Sequence, residues 1–499
     1  MFAQTWRNHW GLTEDPFAHE DADKDPVLAR VDAQAVHSCF DRVHGQPGIP
    51  GPAVIFGEKG SGKSGLRLSI QRRIAMYNED NPTARVLEVE YSEFDGFLEG
   101  FRQSGGLAAD THQSAPELVS RFGLADHLDS ILSVAVTTLV DRLLAQRKRP
   151  RKLSKKHKLD LLLLTATYYN SKLGSTRDAL TGLRSRLRYR SSRHSLRKTA
   201  TLALALGGVG VALVPIWNEL AIGPTFEHGK SSLWFAGGAA LLAGTGIWTM
   251  LERSRLRRMT QRAARSVRVL QRDPTTLVEV LQMISAHERE EVVLPIEANE
   301  ATRYDLLQSF LSALDGLGYT GLYVLVDRVD ESVILAGKED LTRAFVESLL
   351  DHKLLQHPGL GLKLFLPVEL SRMYMGASPE ELKRMRLDKS NTVQELRWTG
   401  QELYEIANQR LRAAGATTPD LEVFLGDDLD GIELREALHE LGTPRHAFGF
   451  LSALFSEFAR NLPEDLDPDA SEWRIPRNHF DLVFAAWGDR ARVLRRALN

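Results

Sequence analysis

Cysteine is almost absent: Cys39 is the only one in 499 residues. An intramolecular disulfide is excluded, which suits a reducing compartment, and the thiol is expected to be a small buried apolar group. The first 25 residues carry many acids and no apolar run, so no secretory leader is expected there. There is no internal repeat and no metal-ligand cluster. The 15 histidines are scattered, and His37, His44 and His446 have no partner at ligand spacing. Packing or surface roles are expected for them. Net charge is nearly absent too, at -2. That balance conceals segregation. Residues 147–158, 184–198 and 252–272 hold 23 of the 63 Lys and Arg and one acid, Glu252. The rest of the chain carries 40 basic and 64 acidic residues, so a basic region is set in an acidic body. An apolar content of 43% argues against global disorder.

Charge is wholly missing from two stretches, 199–218 and 231–251. Helix rises about 1.5 Å per residue, so 20 residues span roughly 30 Å, the thickness of a hydrocarbon core. Gly207, Gly208, Gly210, Gly237, Gly238, Gly244 and Gly246 would weaken soluble helices. In lipid, such small residues let two helices approach closely. Trp217, Trp234 and Trp248 sit near the ends, where aromatics favour the interface. A two-span hairpin is expected. The arginine-dense flanks, 184–198 and 252–272, would contact anionic lipid on the cytoplasmic side, with the loop 219–230 outside. This predicts a multi-pass protein of the inner (cell) membrane. The competing readings are a hairpin buried in a soluble domain and a nucleic-acid surface made by the arginines.

On either side of this hairpin lie two halves of one expected nucleotide site. Ala53-Val54-Ile55-Phe56 reads as a buried strand. It runs into Gly57-Glu58-Lys59-Gly60-Ser61-Gly62-Lys63-Ser64-Gly65, and a helical pattern follows over 66–76. This is the G-x-x-x-x-G-K-[ST] spacing. Gly60 and Gly62 let the backbone wrap phosphates, and the loop amides and helix N-terminus supply positive potential. Lys63 is expected to reach the β- and γ-phosphates of ATP, and the Ser64 hydroxyl to ligate Mg2+. Leu322 to Val326 reads as a second strand delivering Asp327, the other expected Mg2+ ligand. Arg328 stands where many ATPases place a water-orienting glutamate. Asp330 and Glu331 are the alternatives for that role. Glu331 is preferred for its reach, and Glu369 is the next candidate.

Residues 362–368 and 393–399 read as further strands, and 301–316 as a helix before Asp327. Thr399 and Glu402 form a capping-box pattern before a helix to about Arg412. Gly442-Thr443-Pro444-Arg445 opens another helix over 445–459. Arg445, and less directly Arg372, are candidates to sense phosphate. Between the halves, 85–91 reads as a strand, and 124–146 and 156–170 as helices. Residues 175–198 are expected to run as one helix into the first span. The helix leaving the second span is expected to end at Asp273-Pro274.

These features together resemble P-loop ATPases of the AAA+ and STAND kind. Asp327-Arg328-Val329-Asp330-Glu331 looks like a STAND-type Walker B. Trp10-Gly11-Leu12-Thr13-Glu14-Asp15-Pro16-Phe17 resembles a segment preceding the P-loop in some bacterial AAA+ ATPases and is expected near the adenine. The hairpin between Walker A and Walker B resembles the KAP family, whose inserted helices anchor the ATPase domain to a membrane. The Asp-Asp-Leu-Asp-Arg motif frequent in that family is missing here. The resemblance implies an α/β P-loop parallel sheet flanked by helices, with an inserted two-helix transmembrane hairpin and a C-terminal helical lid. The expected divisions are 1–130, 131–298, 299–400 and 401–499. The expected function is a membrane-anchored ATPase switch in phage defence or signalling, with a protein partner or a homo-oligomer. A nucleotide-gated scaffold with little hydrolysis and a nucleic-acid-dependent ATPase are the alternatives.

Overall fold

A computed structural model describes residues 4–498, apart from 32–36, 106–110, 190–191, 223–227, 377–379, 381–382, 384–390, 464–465 and 468–469. Along the chain the principal elements run β1 (Ala53–Gly57), α1 (Lys63–Asp80), β2 (Arg85–Tyr91), α2 (Leu124–Ala145), α3 (Lys155–Tyr168), α4 (Thr176–Arg186), α5 (Ser192–Ile222), α6 (His228–Ser266), α7 (Glu300–Gly316), β3 (Tyr319–Val326), β4 (Leu360–Pro367), α8 (Val368–Met375), β5 (Thr392–Val393), α9 (Gly400–Ala413), α10 (Gly431–Leu441), α11 (Pro444–Arg460) and α12 (Arg477–Leu498). Two compact units result: Met1–Ser92 with Thr320–Asn499, and Glu93–Tyr319.

In the first unit the five strands form one parallel sheet in the order β2-β3-β4-β1-β5. Strands β1 and β4 are near-continuous apolar runs buried along almost their whole length, as parallel strands covered on both faces require. The strands carrying Gly57 and Asp327 share this sheet but are not neighbours, since β4 lies between them. One Mg2+ shared by Ser64 and Asp327 predicts from the sequence that these two strands are neighbours, and that expectation is corrected. A shared ion requires only that the side chains meet, whichever strand separates them. The strand expected over 393–399 shortens to Thr392–Val393. Beyond it Leu396 still donates its N–H to Phe56 O at 2.7 Å. The Thr399–Glu402 capping box forms, with Thr399 N–H donating to Glu402 Oε2 at 2.8 Å.

The opening segment packs against the C-terminal helices. Trp6, Trp10 and Phe17 share a core with Leu403, Phe424, Leu451 and Phe455. Thr13 N–H donates to Ala414 O at 2.9 Å, and the buried Arg410 donates through Nε to Pro16 O at 2.7 Å. Of this lead-in, only the Phe17 end reaches the cavity at the strand ends. Trp6 and Trp10 fill the lid core instead, because indoles of that size are best buried among its aromatics.

The second unit packs α2, α3, α4 and α7 around Leu161–Leu164, which are buried as expected of a run too short to cross a membrane. Arg303 on α7 is fully buried and forks onto Asp129 of α2 at 3.0 and 2.9 Å. Tyr168 of α3 donates to the same carboxylate at 2.7 Å. Helices α5 and α6 pair closely: a Cβ added at Gly238 would lie 2.6 Å from Gly208 O. Of 25 large hydrophobic residues exposed among the described residues, 18 lie between Leu202 and Leu251. Among the described residues, the hairpin is therefore largely uncovered by the rest of the chain. Two spans are expected from the sequence. Among the described residues one helical stretch, Leu233–Ser266, is long and apolar enough to cross a membrane. The apolar run in α5, Leu202–Val214, is shorter.

The flanks differ from expectation. Helix α4 stops at Arg186, so 175–198 is not one continuous helix. Helix α6 stops at Ser266, and Asp273 starts the next helix, Pro274–Gln282, by accepting from Thr275 N–H at 2.9 Å. An Asx cap followed by proline favours a helix start as readily as a stop. The basic segment 252–272 also divides. Arg253, Arg255, Arg257, Arg258, Arg262 and Arg265 lie on the turns of α6 that follow its apolar run. Arg268 instead pairs with buried Asp126 at 2.7 Å, and Arg272 donates to Tyr168 O at 3.1 Å. Burial pulls the Arg272 pKa down to about 10.

Candidate functional site

The carboxyl ends of β1 and β3 face a cavity of about 670 Å3 in the first unit. Ligands of open parallel sheets bind at such strand ends. Gly57 closes β1, and the loop to α1 turns through two left-handed glycines, Gly60 (φ 87°) and Gly62 (φ 92°). Both need glycine for space as well as for φ. A Cβ at Gly60 would lie 2.8 Å from Arg445 Cβ, and one at Gly62 would lie 3.1 Å from the Trp398 ring. Residues beyond β5 clamp the loop. Trp398 Nε1 donates to Ser61 O at 2.6 Å, and Arg445 N–H donates to Gly60 O at 3.3 Å. Gly65 has open space around its Cα, so nothing there demands glycine.

Lys63 is buried, with Nζ donating to Gly57 O at 2.6 Å and Glu58 O at 3.1 Å. Burial lowers its pKa, against the opposing pull of Asp330, Asp327 and Glu369. Ser64 and Asp327 meet as expected: Ser64 Oγ donates to Asp327 Oδ2 at 3.0 Å. The other oxygen, Oδ1, accepts Arg328 N–H at 2.9 Å. A hydroxyl and a carboxylate oxygen side by side, next to a loop of backbone amides, are the hard donors that Mg2+ takes alongside substrate phosphates. Ser64 and Asp327 thus fit Mg2+, and the loop fits phosphate. Among the described residues no group of three or more His, Cys, Asp or Glu could hold a metal by itself.

Arg67, one turn along α1 from Ser64, was not anticipated. It is 1% exposed. Its Nε donates to Asp327 Oδ2 at 3.0 Å and its NH1 to Glu90 Oε2 at 2.6 Å, while NH2 bonds Asp23. Burial alone would lower its pKa, but Glu90, Asp327 and Asp23 raise it overall. The signal for it was in the sequence. Residues three apart on a helix share a face, so Arg67 points where Ser64 points.

Arg328 adopts φ 62°, a left-handed conformation unusual for a residue with a side chain. Its guanidinium pairs with Asp23 and, at 3.5 Å, Asp21, and Arg328 and Asp21 both line the cavity. Asp330 and Glu331 both line the cavity, on the short 3-10 turn Val329–Glu331. Asp330 is the largest acidic influence on Lys63. The Glu331 side chain is 57% exposed and lies 3.8 Å from Arg328 Nε.

The structure therefore brings Glu58, Lys59, Gly60, Gly62, Lys63, Ser64, Gly65, Asp327, Asp330, Glu331 and Arg445 to one cavity. Gly57 and Ser61 lie behind it, packed on each other. Glu369 and Arg372 do not line it; Arg372 reaches Glu58 at 3.8 Å. His37 lines the cavity while packing edge-on against Trp398 at 4.6 Å and bonding Arg397 O at 2.9 Å. Burial raises the Cys39 thiol to about 11, consistent with an inert apolar group. Comparison with protein-family models, with curated proteins and with solved structures finds no match to this chain.

Proposed function

We propose that this chain is a membrane-anchored ATPase of KAP-like architecture that works as a nucleotide-driven switch. The observation that carries the reading is the 3.0 Å contact between Ser64 and Asp327, made across 263 positions of sequence beside a glycine-rich loop that needs its glycines. Ser64 and Asp327 would hold Mg2+, whose charge would offset that of the phosphates. Lys63 would exchange its contacts with Gly57 O and Glu58 O for phosphate oxygens. Asp330, half-buried in the cavity lining where Glu331 is 57% exposed and near Arg328, is the one of the two neighbours assigned to polarise an attacking water. This reverses the preference for Glu331 drawn from reach alone. Arg445, at the start of α11, and Trp398, just before α9, touch the loop, so a change at the phosphates would be felt there directly.

The anchor reading is supported by the exposed apolar surface of α5 and α6 and by the glycine contact between them. Lipid would cover that surface at both helices, giving two spans, with the six arginines of α6 at the cytoplasmic headgroups. The test is turnover by the purified full chain in detergent. Mg2+-dependent release of phosphate from ATP, lost in Lys63→Ala, is expected. Turnover unchanged in that variant sinks the reading.

One observation favours a second reading, a nucleotide-gated scaffold with little hydrolysis. Arg328 stands in place of the usual acid after Asp327, and its guanidinium is paired with Asp21 and Asp23. Tight ATP binding with negligible turnover would select it.

A further inference from the structure

Outside the nucleotide cavity, the second unit contains a basic pocket. Arg149, Arg184 and Arg188, with Thr181, Ser185 and Tyr189, line an open depression of about 760 Å3; all but Tyr189 are exposed, and the lining holds no carboxylate. We infer that this pocket binds a phosphomonoester, presented as the headgroup of an anionic lipid.

The geometry begins with helix periodicity. Positions 181, 184 and 185 are spaced i, i+3, i+4, so two hydroxyls and one guanidinium share one face near the end of α4, and Arg188 follows in the turn beyond it. The helix is then closed by a Schellman turn. Tyr189 N–H donates to Arg184 O at 3.1 Å, and Arg188 N–H donates to Ser185 O at 3.2 Å. Arg188 occupies the left-handed position of that turn, φ 49°, where glycine is usual. A side chain there crowds the following carbonyl, which glycine avoids. Glycine would stabilise the turn more and remove only the guanidinium, so the local fold gives no reason for arginine.

Arg184 itself makes one long contact, Nε donating to Tyr189 O at 3.4 Å, and neighbouring cations show what a fully structural role looks like. Arg186 bonds the last carbonyls of α2, Leu144 O at 2.7 Å and Gln146 O. Arg177 pairs with Glu279 at 2.9 Å. Glu288, whose charge reaches Tyr189, is itself engaged by Lys155 and by the Ser285 cap. The C-terminal dipole of α4 offsets about half a charge, not three. The Arg186 contacts and the close approach of Gly182 to Leu144 fix α4 against α2, so the pocket is a held shape and not a loose tail.

Three planar, permanently charged forks match the three terminal oxygens and near-double charge of a phosphomonoester. A phosphodiester offers two terminal oxygens and one charge. The source follows from chain position. Helix α5 starts three residues after Tyr189, and its apolar run starts at Leu202. Ten residues of helix cover about 15 Å, the depth of a headgroup layer. The lipid source rests on the membrane reading proposed above.

The test uses the full chain in neutral detergent with short-chain soluble probes: dioctanoyl phosphatidic acid, dioctanoyl phosphatidylglycerol, inorganic phosphate and a single-stranded oligonucleotide. Binding is read by thermophoresis and folding by thermal unfolding. Phosphatidic acid is expected to bind more tightly than the other three. Arg188→Gly should leave the unfolding temperature unchanged or higher yet weaken that binding by about tenfold, the factor given by one lost charge-assisted contact. Arg184→Ala should add to the loss. Unaltered binding in Arg188→Gly overturns the site. Equal affinity for inorganic phosphate overturns the lipid source, equal affinity for phosphatidylglycerol overturns the monoester, and preference for the oligonucleotide makes this a nucleic-acid surface. Membrane fractionation of the same protein is a separate readout, so failure of the pocket and failure of the anchor are told apart.

Discussion

Replacing Arg67 by methionine should destabilise the first unit far more than a surface arginine would. Arg67 is 1% exposed and donates to Asp327, Glu90 and Asp23. Methionine fills similar volume but leaves the buried Asp327 carboxylate without its cation. Breaking a buried pair from one side costs about 3–5 kcal/mol. For a unit of this size, each kcal/mol lowers the midpoint by roughly 2–4 °C, so a fall of roughly 6–20 °C is expected. Tryptophan fluorescence is the probe, because Trp398 donates to Ser61 O, at the other end of the same loop. Arg67→Lys should recover part of the loss, since it restores charge but not the fork. The double variant Arg67→Met/Asp327→Asn should lose less than the sum of the singles, by about 1 kcal/mol or more. Additive losses, or a fall below about 2 °C in Arg67→Met, would show that Arg67 does not hold Asp327.

Other outcomes are equally specific. Asp330→Ala should cut ATP turnover by about 10²-fold or more while sparing binding, and Glu331→Ala should cut it less; the reverse order in a steady-state assay restores Glu331 as the base. Lys363 lies in the middle of β4, donates to Val43 O at 2.6 Å, and burial pulls its pKa down to about 7. Between that value and the ordinary lysine pKa the unfolded chain holds more protons, so this residue's contribution to stability improves as pH rises, by on the order of 1 kcal/mol per unit. Urea midpoints of wild type against Lys363→Met at about pH 7.5 and 9.5 should therefore move in favour of wild type at the higher pH, and a constant difference refutes the shift. Gly238→Leu should separate α5 from α6, read as loss of a cross-link between cysteines introduced on the two helices, because its Cβ would meet Gly208 O at 2.6 Å.

What could be read in advance was what is local or chemically forced. The loop from Gly57 to Ser64 announces itself by letters, and β2 falls on Arg85–Tyr91 because its apolar alternation is strong. The meeting of Ser64 with Asp327 followed from chemistry alone. What escaped depends on distant partners. The opening Trp6 and Trp10 pair with Phe424 and Phe455, hundreds of residues away, and no window of sequence carries that. The break after Arg186 was invisible to turn rules because an arginine fills the position glycine normally marks. The placement of β4 between β1 and β3 was missed for a different reason: a shared ion constrains side-chain ends, not strand neighbours. Arg67 looked like one more polar helix residue until its face was matched to Ser64.

The most direct measurement is a calorimetric titration of the full chain with ATP, with Mg2+ present and with Mg2+ chelated. The account predicts saturable one-site binding that weakens by at least about tenfold on chelation, that is lost in Lys63→Ala, and whose Mg2+ dependence disappears in Asp327→Ala. Binding of equal strength with and without Mg2+, or undiminished in Lys63→Ala, would contradict the claim that Gly57 to Ser64 and Asp327 form one nucleotide site.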